Sequence, residues 1–275
     1  MSNKFGEESN FSIKMGVNII EKTDQYKYLG IIFDDKLPWK PQLDKLCKKL
    51  SAVCGTLSKV RHYLDRQSLM LIYNSLFDSR LRYGALGWGT SSNNSLDRLR
   101  VLQNRALRFI TFSDFRSPSS PLFVLLNVLP LNDLLNVQRA VFMYNLHYTN
   151  LPRALHNYAL PPTHRYPTSY SNNLNYVIPS VRTNRGKSSI KFSGPQTWAN
   201  IPTDIKECGS RKQFSSSCKD HYLKILSETS KDMKIIPYQK TSKTVTKNDS
   251  LFESDDDDIE FFGFDIEIEI TSHAG

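Results

Sequence analysis

No apolar run in this sequence is long enough to cross a bilayer. The longest, "PLFVLLNVLPL" at residues 121–131, is broken by Asn127 and Pro130 and falls short of the roughly 20 apolar residues that a spanning helix needs. No apolar stretch near Met1 has the form of a secretory signal, so the expected compartment is intracellular, nucleus or cytoplasm, with no membrane partner. Cysteine is scarce, four in 275 residues with no CxxC pair, which argues against both a disulfide framework and a structural zinc site. Cys47 and Cys54 fall on one apolar stripe as small hydrophobes, and Cys208, Cys218 and His221 lack a fourth ligand nearby. Also missing are GxxxxGK[ST], GxSxG and HExxH patterns, and His62, His147 and His164 stand alone as ordinary surface or polar-core histidines.

Acidic residues are scarce where the chain is apolar enough to fold. Residues 249–275 hold 10 of the 27 acids and no Lys or Arg, so residues 1–248 carry 36 − 17 = +19. A body this basic points to a polyanionic partner, nucleic acid above all. The tail, "NDSLFESDDDDIEFFGFDIEIEI", reads as a disordered acidic segment, with docking to a protein partner or competition with nucleic acid as its possible uses.

Hydrophobic periodicity divides the body. Short apolar stretches over residues 11–33 predict two or three strands in a small β-hairpin or meander. From residue 39 the period becomes helical: Leu43, Leu46, Cys47, Leu50, Val53, Cys54, Leu57, Val60 and Leu64 form one stripe. Asp65 is placed to cap a second helix burying Leu69, Ile72, Tyr73, Leu76 and Phe77, which "GALGWGT" ends. A third helix should start near Asn94 or Ser95 and bury Leu96, Leu99, Leu102, Ala106 and Ile110. Helices over Leu122–Leu126 and Leu131–Leu146 follow. Beyond residue 150 the pattern weakens: "YALPPTHRYPTSYSNNLNY" gives no assignment, "YVIPSVRTNRGKSSIKFSGPQTW" suggests two short strands around "NRGK", and a last short helix turns Phe214, Cys218, Tyr222 and Ile225 inward. The fold class is therefore mainly α.

The stretch "IIFDDKLPWKP" invites a test for a polymerase metal site, because Phe33 is followed by Asp34 and Asp35. Two-metal catalysis needs such carboxylates at a hairpin tip between two apolar strands, with a third carboxylate nearby. Here Pro38 and Pro41 forbid a second central strand, and Glu7, Glu8, Glu21 and Asp24 lie in polar or turn-like surroundings. The aspartates are expected to end a strand and shape the turn into the helix. Catalytic residues, metal ligands and cofactors are expected to be none.

Taken in order, "YKYLGIIFDDKLPWKPQLDKLCKKL", "RQSLMLIYNSLFDSRLRYGALGWG", "LDRLRVLQNRALRFI" and "VRTNRGKSSIKFSGPQTWANIPTDIK" resemble the end of the reverse transcriptase of non-LTR retrotransposons of the jockey and LINE-type group, over roughly residues 11–226. The resemblance implies a primer-grip-like hairpin over residues 1–37, marked by Tyr28, Leu29 and Gly30. It further implies a thumb-like helical bundle over 38–150, the family's C-terminal segment over 151–230, and a tail over 231–275 that departs from the family pattern. The catalytic carboxylates of that family lie upstream of the Tyr-Leu-Gly segment, so the chain is expected to be a catalytically incomplete, non-enzymatic fragment, magnesium belonging only to a complete polymerase. Its expected partner is an RNA or DNA duplex of template-primer type, held at phosphates by Lys45, Lys48, Lys49, Lys59, Arg61, Arg98, Arg105 and Arg108. Trp39, Trp88 and Trp198 are read as core plugs rather than base-stacking platforms. The alternative is a host-adopted scaffold whose acidic-aromatic tail does the work.

Overall fold

The computed structural model describes residues 13–20, 22–35, 39–148, 151–155, 158–159, 174–231 and 233–235. Pro38, His164 and the acidic tail lie outside these residues.

The chain opens with two antiparallel hairpins. Strands β1 (Ile13–Met15) and β2 (Asn18–Ile20) pair with Ile13 opposite Ile20, and β3 (Gln25–Tyr28) and β4 (Ile31–Asp34) pair with Tyr28 opposite Ile31. The second hairpin closes through Leu29 and Gly30, both at positive φ (47° and 80°), the geometry whose twist matches that of the flanking strands. Among the described residues there are thus four short strands where two or three were expected, each paired there with its hairpin partner.

Helix α1 (Lys40–Val60) begins where the prolines put it, with Pro41 in the first turn, where a missing N–H costs nothing. Its buried stripe includes Leu43, Leu46, Leu50, Val53 and Leu57. Asp65 caps α2 (Arg66–Ile72) by accepting the Gln67 and Ser68 amides at 3.2 Å. Residues Tyr73–Asp78 then form a wide π-helical turn before α3 (Ser79–Arg82). The wide turn keeps Leu69, Tyr73, Phe77 and Leu81 in one buried row, stepping by four, and carries Leu76 outward to 40% exposure. The inward placement of Leu76 expected from a 3.6-residue period is corrected by this turn.

"GALGWGT" is more than a stop, because Ala85–Trp88 forms the one-turn helix α4, introduced by Gly84 at φ 65°. The third long helix, α5 (Asn93–Ile110), is capped by Ser92 and buries Leu96, Leu99, Ala106, Leu107 and Ile110, while Leu102 is half-buried. It packs along α1, and α6 (Ser120–Leu125) and α7 (Leu131–His147) follow at the expected positions.

The C-terminal segment corrects the expectation of strands around "NRGK". Thr183 Oγ1 accepts the Gly186 amide and starts α8 (Asn184–Ser188), and α9 (Ile190–Ala199) follows at once. In α9 packing on α7 overrides local propensity: Trp198 is fully buried, 5.7 Å from Phe214 and 5.8 Å from His147, with its Nε1 donating to the Leu174 carbonyl at 2.8 Å. After α10 (Thr203–Lys206), α11 (Arg211–Thr229) is long rather than short, and it buries Phe214, Cys218 and Leu223 but exposes Ile225. A single buried apolar cluster extends from Trp39 to Leu223 and takes in both the early helices and the C-terminal segment. All three tryptophans belong to it, as expected of core plugs.

Candidate nucleic-acid interface

The β3–β4 hairpin is fastened to the helices by its backbone as much as by its side chains. Gln42 Oε1 accepts the Ile32 amide at 3.0 Å, Tyr83 Oη donates to the Leu29 carbonyl, and Lys45 Nζ donates to the Gly30 carbonyl at 3.2 Å. Asp34 is buried at the end of β4, where its Oδ1 accepts the Trp39 amide at 3.2 Å, and Asp35 donates its own amide to the Asp24 carbonyl at 3.0 Å. The Phe33 and Trp39 rings meet at 5.4 Å, and Trp39 Nε1 donates to Thr90 Oγ1 at 3.1 Å. The double aspartate therefore ends the strand and builds the turn.

Between the hairpin tip, α1 and α3 lies an open cleft of about 260 Å³, lined by Gly30, Lys45, Lys49, Arg80 and Tyr83 among others, with no carboxylate among the described residues of its wall. Lys45 and Lys49 share it because residues four apart fall on one helix face. Burial, followed by the charges of Lys27 and Lys49, holds the Lys45 ammonium below its ordinary pKa, as expected where like charges converge without compensation. The tip above is apolar and exposed, with Leu29 71% accessible despite its left-handed backbone.

The eight basic residues expected to contact phosphate do not form one face. Lys45 and Lys49 line the cleft, and Lys48 and Lys59 are exposed elsewhere on α1. Arg98 is exposed but ion-paired with Asp44, clamping α5 to α1, which raises its pKa above the ordinary arginine value. Arg105 is exposed with its guanidinium 5.5 Å from the Phe109 ring centre. Arg61 is only 7% exposed and lies 5.4 Å from the same ring, so it is withdrawn from the surface. Arg108 is half-buried, its Nε and Nη2 donating to the Ser117 carbonyl at 3.0 and 2.8 Å, and burial lowers its pKa. Arg61 and Arg108 thus serve packing and loop closure. Arg80 and Lys27 were missed because neither sits on a long amphipathic stripe; only the tertiary approach of hairpin and helix brings them beside Lys45.

The sequence has counterparts in known proteins. The probable RNA-directed DNA polymerase from transposon BS of Drosophila melanogaster is 31% identical over 99 residues, 34% of this chain and 11% of that protein. The RNA-directed DNA polymerase from mobile element jockey, also of Drosophila melanogaster, is 26% identical over 148 residues, 52% of this chain and 16% of that protein. The chain is similar over part of its length to RNA-directed DNA polymerases of non-LTR retrotransposons. A third such polymerase, the probable one from transposon X-element, matches at 26% over 88 residues, 31% of this chain and 10% of its own length. The chain thus spans a sixth or less of the length of these retrotransposon relatives. No family model matches it, and no solved structure does. Among the described residues no helix is long and apolar enough to cross a membrane.

Proposed function

We propose that this chain is a thumb-like portion of a retrotransposon polymerase that grips the phosphate backbone of an RNA–DNA duplex and does not itself polymerise. The observation that carries this reading is the cleft under the hairpin tip, where Lys45, Lys49 and Arg80 converge with no carboxylate among the described residues of the wall. Ammonium and guanidinium groups on a preformed concave surface bind successive phosphates without reading bases, as a duplex that must slide requires. The hairpin tip holds the cleft's upper edge through the bond from Lys45 to the Gly30 carbonyl, so a phosphate entering there would draw Lys45 off a weak, solvated partner.

Among the described residues no donor set fits the magnesium that polymerase chemistry uses. Asp34 is buried with an oxygen on the Trp39 amide, and the described residues contain no group of three or more His, Cys, Asp or Glu able to hold a metal ion. No catalytic step is assigned to this chain.

The test is a fluorescence-anisotropy titration of the full chain against a labelled RNA–DNA hybrid across salt concentration. Binding should weaken with a log–log slope of about 0.9 per phosphate contact, and Lys45→Glu/Lys49→Glu should lower that slope by roughly two and the affinity about tenfold or more. A parent chain that does not bind the hybrid at low salt ends the proposal.

A further inference from the structure

Three consecutive residues outside any helix or strand are each tied to the C-terminal half of the bundle by a polar side chain. Trp198 Nε1 on α9 donates to the Leu174 carbonyl at 2.8 Å, Lys206 Nζ on α10 donates to Asn175 Oδ1 at 3.0 Å, and His147 Nδ1 on α7 lies 2.9 Å from Tyr176 Oη. Asn175 and Tyr176 are buried. Leu174 is held at φ 56°, a left-handed backbone that a leucine keeps only where its surroundings enforce it. Side-chain bonds thus fasten this segment as a ladder fastens a strand.

Two of the three ties are basic groups withdrawn from water. Lys206 is 1% exposed, with its ammonium 5.5 Å from the centre of the Trp198 ring, and burial lowers its pKa. The His147 ring is half-buried among Tyr148, Tyr176 and Trp198, at 4.9, 6.0 and 5.8 Å between ring centres. Behind Tyr148, Tyr144 packs against Phe214 of α11 and donates to the Cys208 carbonyl at 2.6 Å. None of these groups is a carboxylate, and Asp204 and Glu207, near Lys206 in sequence, are exposed. Burial, then the Lys206 charge, lowers the pKa of His147.

We propose that His147 and Lys206 form an acid-sensitive latch, which holds Leu174–Tyr176 against α7, α9 and α10 near neutral pH and lets the segment go as His147 gains a proton. The bond to Tyr176 does not itself demand release, since a protonated Nδ1 donates to the hydroxyl oxygen. Burial is what fails: an imidazolium there meets the Lys206 ammonium and no carboxylate among the described groups around it, whereas letting the segment go returns it to water. The Leu174 backbone favours the same direction, because its strain relaxes once the Trp198 bond is lost. A base whose folded pKa lies below its unfolded value of about 6.5 leaves the latch fully held above that pH and loosens it as pH falls through it. The latch is independent of the duplex reading, since none of its residues lines the cleft under the hairpin.

The experiment follows the full chain by acrylamide quenching of tryptophan fluorescence from about pH 7 to about pH 5, with far-UV circular dichroism on the same samples. Trp198 is the reporter, because it is fully buried, packs against Tyr176 and bonds to Leu174. As pH falls the quenching constant should rise and the emission maximum move to the red while helix content stays unchanged. His147→Gln, which can still bond the Tyr176 hydroxyl but cannot titrate, should be quenched alike at both ends of the range. Lys206→Met should raise quenching at both ends and narrow the difference between them, since removing the neighbouring charge eases protonation of His147 in place. Quenching of the parent that is indifferent to pH overturns the proposal, as does an equal rise in His147→Gln. Loss of helix alongside the rise overturns it too, because the whole bundle then unfolds rather than the segment.

Discussion

Gly84 is one of the points at which the hairpin meets the bundle, through Ile31, and Gly84→Ala tests that joint. Gly84 has φ 65°, and a Cβ placed there would lie 2.4 Å from Ile31 Cδ1 and 3.3 Å from Ile31 Cγ1. The left-handed backbone alone costs an alanine about 1–2 kcal/mol. Displacing Ile31, which packs partly buried against the core, adds about 1–2 kcal/mol of overpacking. The sum is about 2–4 kcal/mol, or roughly 4–16 °C in melting temperature at about 2–4 °C per kcal/mol for a chain of this size. Gly55 provides the internal comparison. It lies mid-helix in α1 with nothing within 4 Å of a built Cβ and no positive φ, so Gly55→Ala should stabilise by about 0.5–1 kcal/mol. Thermal unfolding followed by circular dichroism reads both. Because the strain at Gly84 falls on the hairpin that roofs the cleft, hybrid affinity should also drop in Gly84→Ala and stay level in Gly55→Ala. If Gly84→Ala melts with the parent, the packing of Ile31 against the Gly84 backbone is not what holds the hairpin.

Three further outcomes are expected. Arg61→Met should leave the salt slope of hybrid binding unchanged, since the buried guanidinium packs on Phe109 rather than facing solvent, whereas Lys49→Met should lower it by about one; equal effects would refute the division between packing and contact cations. His147 accepts or donates a hydrogen bond at 2.9 Å with Tyr176, and burial, then the Lys206 charge, lowers its pKa from the ordinary value. A base whose folded pKa lies below its unfolded value of about 6.5 binds fewer protons when folded, so stability should hold above that pH and fall as pH drops through it; urea melts between pH 7 and 5 should show this slope, and His147→Gln should flatten it. Removing residues 249–275 takes away ten acids and no Lys or Arg, raising the net charge from +9 to +19, so hybrid affinity should rise at low salt and converge with the parent at high salt; equal affinity at low salt would show that the tail's charge does not reach the interface.

What could be read from the residues was local. The stripe from Leu43 to Leu57, the Asp65 cap, the apolar repeat of α5 and the strand-ending role of Asp34 all depend on neighbours a few positions away, where period and hydrogen-bonding capacity act directly.

The failures occur where distant segments meet. Leu76 turned outward because a π turn widened the helix beneath it. The residues after "NRGK", Ile190–Ala199, became helical where α7 offers a face for Trp198, while "NRGK" itself forms a short helix capped by Thr183 with no buried residue. Most of all, a basic residue's period does not say whether it will reach solvent. Arg61 and Arg108 went to Phe109 and the Ser117 carbonyl, while Arg80, on no conspicuous stripe, came to line the cleft. Helical periodicity specifies which face is apolar, because burial is enforced at every turn. The convergence of charges is set by which helices pack together, and that is decided only when the core closes.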